Sequence, residues 1–206
     1  AGIDRVVADF AAAARRAVDA GFEVLDVHAA HGYLLHEFLS PLSNHRDDEY
    51  GGSLADRARL LLRVIDAVRD AAPDVPMMVR FSATDWADGG WDADDTAVVA
   101  GWAAERGADF FDISSGGLVA HQRITTGPGY QVDLAAHVRR VAGVPVSAVG
   151  MIDDPALAEQ VVAAGQADAV MAGREWLRDP HYGLRAAAEL GADIDYWPKQ
   201  YVRARR

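Results

Sequence analysis

One unit recurs along the chain and restricts its fold more than any other feature. It is an alanine-rich amphipathic stretch, a glycine, and a short apolar run that closes on polar residues. The unit reads as Ala11–Ala20, Gly21 and Glu23–His28, then as Thr96–Arg106, Gly107 and Asp109–Ser114, and again as Pro155–Ala164, Gly165 and Asp168–Ala172. Each glycine stands where a helix end favours a residue free to adopt positive φ. Two more apolar runs, Val75–Phe81 and Val144–Val149, carry Pro76 and Pro145 at their starts and follow the helical stretches Ala55–Ala71 and Val132–Val141. All five runs are too continuous for a sheet with one wet face, and they suit parallel strands covered on both sides. A last helix is expected near Tyr182–Leu190.

Strand–helix alternation of this kind predicts an α/β fold with right-handed crossovers. Two architectures satisfy it, an open doubly wound sheet and a closed (β/α)8 barrel. No strand runs into the glycine fingerprint of a dinucleotide fold, since Gly150 and Gly173 are lone glycines at strand ends. Polar residues instead cluster after nearly every strand, as they do in a barrel whose active face is built from βα loops. Five strands cannot close an eight-stranded barrel. About three units are therefore expected ahead of Ala1, or from another chain. The 206 residues, half of them apolar, are read as one domain, 1–206.

The formal net charge of −11 is spread along the chain, which argues against a phosphate-backbone partner and so against nucleic-acid binding. The only basic cluster is the tail Arg203, Arg205 and Arg206. With no cysteine, this stretch holds no disulfide, zinc-finger or iron–sulfur ligation, in keeping with a reducing cytoplasm. No apolar run is long enough to span a membrane.

The densest chemistry lies in His28-Ala29-Ala30-His31-Gly32-Tyr33-Leu34, at the end of the first apolar run. Two histidines three apart at a strand end can aim both rings into one pocket, with Tyr33 beside them. Neutral imidazole N–H groups there would stabilise charge building on a carbonyl or nitro oxygen. A satisfied pair of loop histidines is the plain alternative. A zinc site is another, although the helical spacing and glutamate of H-E-x-x-H are missing. Ser53 and Asp56 form a capping box, and Tyr50–Arg57 is read as a structural loop. Arg80 closes the second apolar run, so it should face a ligand or pair with a carboxylate such as Asp26 or Asp112. Ser115 and Gly116 follow the third run, where small residues permit close backbone approach. Gly150, Met151, Gly173 and Arg174 end the last two runs, at the place where such barrels hold phosphate.

H-A-A-H-G-Y-L, F-L-S-P, Asn44, Arg46, Asp47, Y-G-G-S and Arg57, taken in order, resemble the Old Yellow Enzyme family, in its bacterial branch with a histidine pair. The resemblance runs from about Val6 to Arg203, with Asp56 departing from the family's usual asparagine. It implies an FMN-containing (β/α)8 barrel that takes hydride from NADPH or NADH and passes it to the β-carbon of an activated alkene. It further implies that His28 and His31 bind the activating oxygen, that Tyr33 lines the pocket, and that Arg80 meets the flavin ring. Gly150, Met151, Gly173 and Arg174 are implied for the FMN phosphate. The proton donor is expected outside this chain. Gln200-Tyr201-Val202-Arg203 is implied to reach into a neighbouring subunit of a homodimer or homotetramer, which makes Arg203 a pocket residue in trans.

Overall fold

The computed structural model describes residues 2–204. Along each strand the side chains alternate between two faces, and the two faces here differ sharply in composition. Val27 and Ala29 of β1 (Leu25–Ala29) and Val79 and Phe81 of β2 (Met77–Ser82) point to one face, as do Phe111 and Ile113 of β3 (Phe110–Ser114). Val146 and Ala148 of β4 (Val146–Val149) continue that face, and all eight are buried among helices. Burying an aliphatic or aromatic side chain of this size contributes about 1.5–3 kcal/mol. The opposite face carries Asp26, His28, Arg80, Asp112, Ser114 and Ser147. β5 (Ala169–Met171) completes the sheet.

The five strands are all parallel and lie in sequence order, β1-β2-β3-β4-β5. A doubly wound sheet reverses direction at a switch point, and no reversal occurs here. The order is that of consecutive units of a (β/α)8 barrel, and every βα loop leaves from the same end of the sheet. β1 and β5 are its edge strands.

Helices follow the predicted periodicity closely. α3 (Leu54–Ala71), α4 (Ala93–Glu105), α5 (Val132–Ala142), α6 (Pro155–Ala163) and α8 (Tyr182–Glu189) each begin or end within about three residues of the expected bounds. α1 (Gly2–Asp19) starts earlier than expected, because Ile3, Val7 and Phe10 extend its apolar stripe against the core. Gly21, Gly107 and Gly165 all take positive φ just after their helices. The capping box forms, with Asp56 N–H donating to Ser53 Oγ at 3.2 Å. Two short helices, α2 (Leu34–Leu39) and α7 (Arg174–Arg178), were not expected. The segment before α3 is structural, as expected: the Asn44 amide donates to the Phe38 and Tyr50 carbonyls at 2.6 and 2.7 Å. Arg57 then ties α3 to the Leu39 carbonyl at 2.7 Å. Among the described residues no helix is long and apolar enough to cross a membrane.

Candidate active site

Strand register builds the floor of the site. His28, Arg80, Asp112 and Ser147 are successive cross-strand partners on the polar face. Arg80 Nε lies 2.9 Å from Asp112 Oδ2, and the Ser147 hydroxyl donates to Asp112 Oδ1 at 3.1 Å. Asp112 is fully buried. That burial pushes its carboxyl up to about 6, against the opposing pull of the Arg80 charge. Of the two carboxylates considered for Arg80, Asp112 is therefore its partner. The arginine side chain still keeps a quarter of its surface open. Asp26 pairs in register with Met78 instead, and its carboxyl is raised by desolvation with Arg80 working in the other direction.

The loop after β1 brings the three predicted aromatic residues together. The His28 ring centroid lies 5.3 Å from that of His31 and 5.3 Å from that of Tyr33, which meets it edge-on. His31 sits at φ 59, followed by Gly32 at φ 74. The turn is wedged against the loop after β3. A Cβ at Gly32 would lie 2.5 Å from the Gly117 carbonyl oxygen, and one at Gly117 would lie 2.7 Å from His31 Cα. The His31 backbone N–H donates to Ser82 Oγ at 2.9 Å, and Ser82 donates onward to the Gly116 carbonyl at 2.8 Å. His31 Nε2 lies 2.8 Å from Ser114 Oγ. Desolvation, reinforced by Arg80, lowers both histidines, His31 to about 4. His31 is thus neutral at pH 7 and can donate a hydrogen bond without carrying charge.

Several groups around this turn escaped the sequence reading. His36 and Asp85 are both fully buried. His36 Nδ1 accepts the Gly32 N–H at 3.0 Å, which leaves the ring proton on Nε2, 2.9 Å from Asp85 Oδ1. Asp85 Oδ2 accepts the Ser40 hydroxyl at 2.6 Å and the Trp91 N–H at 2.8 Å. Burial alone would raise the Asp85 carboxyl, but the donors from His36, Ser40 and Trp91 outweigh it and hold it below its ordinary range. Among the described residues, the non-glycine positions with positive φ are His31, Trp86 and Met151, in the loops after β1, β2 and β4. Backbone strain of this kind tends to gather at functional sites, and it was the one local signal for Trp86 that only coordinates reveal.

The phosphate-type residues stand at the ends of β4 and β5, which are neighbours in the sheet. Gly150 has φ 123, and a Cβ there would lie 2.9 Å from both the Tyr130 ring and Gln131 Nε2. Among the described residues no protein acceptor takes the backbone N–H of Gly150, Met151 or Gly173. Arg174 opens α7, is exposed, and makes no ion pair among the described residues. Nearby Arg178 and Arg185 are by contrast engaged by Glu175, Asp153 and Asp179. These three backbone donors and one free guanidinium fit an anionic phosphate. Ser115 and Gly116 are already engaged within the chain. The Ser115 hydroxyl donates to Gln131 Oε1 at 2.5 Å, and the Gly116 N–H and carbonyl are bonded to Thr84 and Ser82. What Gly116 can contribute is the absence of a side chain.

Residues Lys199–Ala204 of the tail form a 3-10 turn. The turn starts at Pro198, whose carbonyl accepts the Tyr201 N–H at 2.8 Å. Trp197 and Tyr201 line a cleft with Leu184 and Ala188 of the chain's own α8. Arg203 is exposed, and Arg205 and Arg206 lie outside the described residues.

Residues 1–193 match the NADH:flavin oxidoreductase / NADH oxidase family of FMN proteins. The chain belongs to that family. It is 49% identical over 201 residues to NADPH dehydrogenase of Bacillus subtilis (strain 168), covering 98% of this chain and 59% of that protein. It is 48% identical over 206 residues to NADPH dehydrogenase of Geobacillus thermodenitrificans (strain NG80-2), covering all of this chain and 60% of that protein. The chain thus spans about three-fifths of the length of these relatives. Among solved structures, 2-naphthoyl-CoA reductase superposes with a TM-score of 0.83 at 27% identity, over 92% of this chain and 29% of that one. Morphinone reductase superposes at 0.75 and 29% identity, over 97% of this chain and 52% of that one. Family membership agrees with the resemblance to Old Yellow Enzyme and with the barrel order of the strands.

Proposed function

We propose that the complete protein is an FMN-dependent NAD(P)H oxidoreductase that reduces activated carbon–carbon double bonds, such as those of enones and nitro compounds. The observation that carries this reading is the neutral pair His28 and His31 at the end of β1, with the rings 5.3 Å apart. Flavin supplies the hydride chemistry when bound. The residues of this chain do the rest. His28 and His31 would share the activating oxygen and withdraw the charge that grows there as hydride reaches the β-carbon. Tyr33, exposed beside His28, would form one wall of the pocket. Arg80, braced by Asp112, would present positive charge to the ring, which favours an anionic reduced flavin. Gly150, Met151, Gly173 and Arg174 would hold the phosphate. The proton that completes the product at the α-carbon is expected from a residue outside this chain. NADPH is the favoured reductant, because the named relatives are NADPH dehydrogenases. A cytoplasmic homo-oligomer is part of the same reading, with the exposed Tyr201, Val202 and Arg203 meeting a second subunit.

The test is to replace His28 or His31 by alanine in the full-length flavoprotein and follow each half-reaction by stopped flow. Alkene-dependent reoxidation of the flavin should slow by about a hundredfold, the scale for losing one oxyanion donor. Flavin reduction by NADPH should change much less, because it builds no charge on a substrate oxygen. Equal losses in both half-reactions would remove the oxygen-binding role.

A further inference from the structure

The histidine pair works only if each ring presents a proton, and a neutral imidazole has just one. We propose that Ser114 is a positioning residue that fixes the tautomer of His31, with the ring proton on Nδ1. This inference rests on the reading of His31 as a hydrogen-bond donor.

Proton accounting around Gln131 leads to it. The Gln131 amide nitrogen donates to the Val149 carbonyl at 3.0 Å, so its Oε1 faces the two serines that end β3. Ser115 donates to that oxygen at 2.5 Å, while Ser114 lies 3.4 Å from it. The Ser114 hydroxyl has a single proton and two candidate acceptors, Gln131 Oε1 at 3.4 Å and His31 Nε2 at 2.8 Å. Hydrogen bonds weaken steeply with length, and 2.8 Å is near the optimum. Gln131 Oε1 keeps a second lone pair beyond the one Ser115 uses, but Ser114 reaches it only at 3.4 Å, so the Ser114 proton is assigned to the closer His31 Nε2. Ser82 cannot substitute, because it accepts the His31 backbone N–H and donates to the Gly116 carbonyl. With Nε2 occupied as an acceptor, the His31 proton resides on Nδ1, which has no partner among the described residues.

The consequence is chemical. With the proton on Nδ1, the His31 nitrogen that has no partner among the described residues is a donor available to an acceptor. With the proton on Nε2, it would turn a lone pair toward the substrate oxygen and repel the charge developing there. Protonating both nitrogens is no remedy at pH 7, because desolvation and Arg80 keep the ring neutral. His36 has the opposite arrangement, with its proton on Nε2 because the Gly32 N–H occupies Nδ1. The two rings flanking one turn are therefore held in opposite tautomers.

The test is long-range proton–nitrogen correlation NMR on the full-length, flavin-loaded protein carrying 15N-labelled histidine. The His31 signals are assigned by their loss in His31→Gln. In the parent at pH 7, Nδ1 should give a pyrrole-type shift and Nε2 a pyridine-type shift. Ser114→Ala should move both toward averaged values. It should also slow alkene-dependent flavin reoxidation by about three- to tenfold, short of the hundredfold for removing a donor outright. Ser115→Ala makes a sharper demand. It frees Gln131 Oε1 to draw the Ser114 proton, so His31 should shift toward the Nε2 tautomer although Ser115 does not touch it. A pyrrole-type Nε2 in the parent overturns the proposal, and so does a His31 pattern unmoved by either serine variant. If the Nδ1 proton is found but His31→Ala leaves reoxidation unchanged, the tautomer stands and the oxygen-binding role falls.

Discussion

Replacing His36 by leucine removes a side chain that joins the turn after β1 to the loop after β2. The volume change is small, so the cost should be polar and not a cavity. Two losses follow. Asp85, fully buried, loses the Nε2–H group 2.9 Å away while keeping its donors from Ser40 and Trp91. Losing one hydrogen bond to a charged group costs about 1.5–3 kcal/mol. The half-buried Gly32 N–H loses its acceptor at 3.0 Å, which costs about 0.5–1.5 kcal/mol, the net value of a typical hydrogen bond. Because the losses share one network they do not simply add. An overall cost of about 2–4 kcal/mol is expected, since a neutral imidazole loses two contacts and no ion pair is broken. That is a large part of the roughly 5–15 kcal/mol that holds a typical domain. His36→Gln keeps an acceptor for Gly32 and a donor for Asp85 and should recover more than half. Urea unfolding of the full-length protein, read as the midpoint at constant slope, gives the numbers. The deficit also has a pH signature. The folded Asp85 carboxyl is held below its ordinary value. The stability it contributes is therefore present above the unfolded value of about 3.9 and is lost as pH falls through the lower folded value. The leucine variant should approach the parent below about pH 4. A cost under about 1 kcal/mol at pH 7, below the range for losing even one such bond, would refute the network.

Asp112→Asn should show the opposite pH behaviour. The folded carboxyl titrates near 6 while the unfolded one titrates near 3.9, so parent stability falls as pH rises between those values, by roughly 2–3 kcal/mol. Urea midpoints at about pH 4.5 and pH 7 should thus move in the variant's favour at the higher pH, and parallel profiles would contradict the raised carboxyl. Arg174→Ala should weaken FMN by about 1.5–3 kcal/mol, measured by fluorescence titration of the apoprotein, and unchanged affinity would take the arginine off the phosphate. Gly117→Ala places a Cβ 2.7 Å from His31 Cα at a backbone φ of 91, so it should cost about 1–3 kcal/mol in strain and slow alkene-dependent reoxidation more than flavin reduction. A fully active alanine variant would mean that the two loops are not wedged.

The helices, the strands and their parallel arrangement were legible in the sequence, because each rests on local periodicity. The apolar stripe of α3 and the capping box at Ser53 need only residues within one or two turns of each other. The H-A-A-H-G-Y motif pointed to His28, His31 and Tyr33, and the three rings do meet at the end of β1. The 3-10 turn of the tail, Lys199–Ala204, had no local signal in the sequence. Choosing between Asp26 and Asp112 for Arg80 needed strand register, which sets Arg80 opposite Asp112 and Asp26 opposite Met78. No local pattern encodes that choice. His31 meets Ser114 across 83 residues of chain, and Ser40 meets Asp85 across 45. Serines, a glutamine and a helical histidine are unremarkable residues until the sheet brings them together. Periodicity tells which face of a strand or helix a residue occupies. Only the packed structure decides which groups share that face within the 3 Å that a hydrogen bond requires.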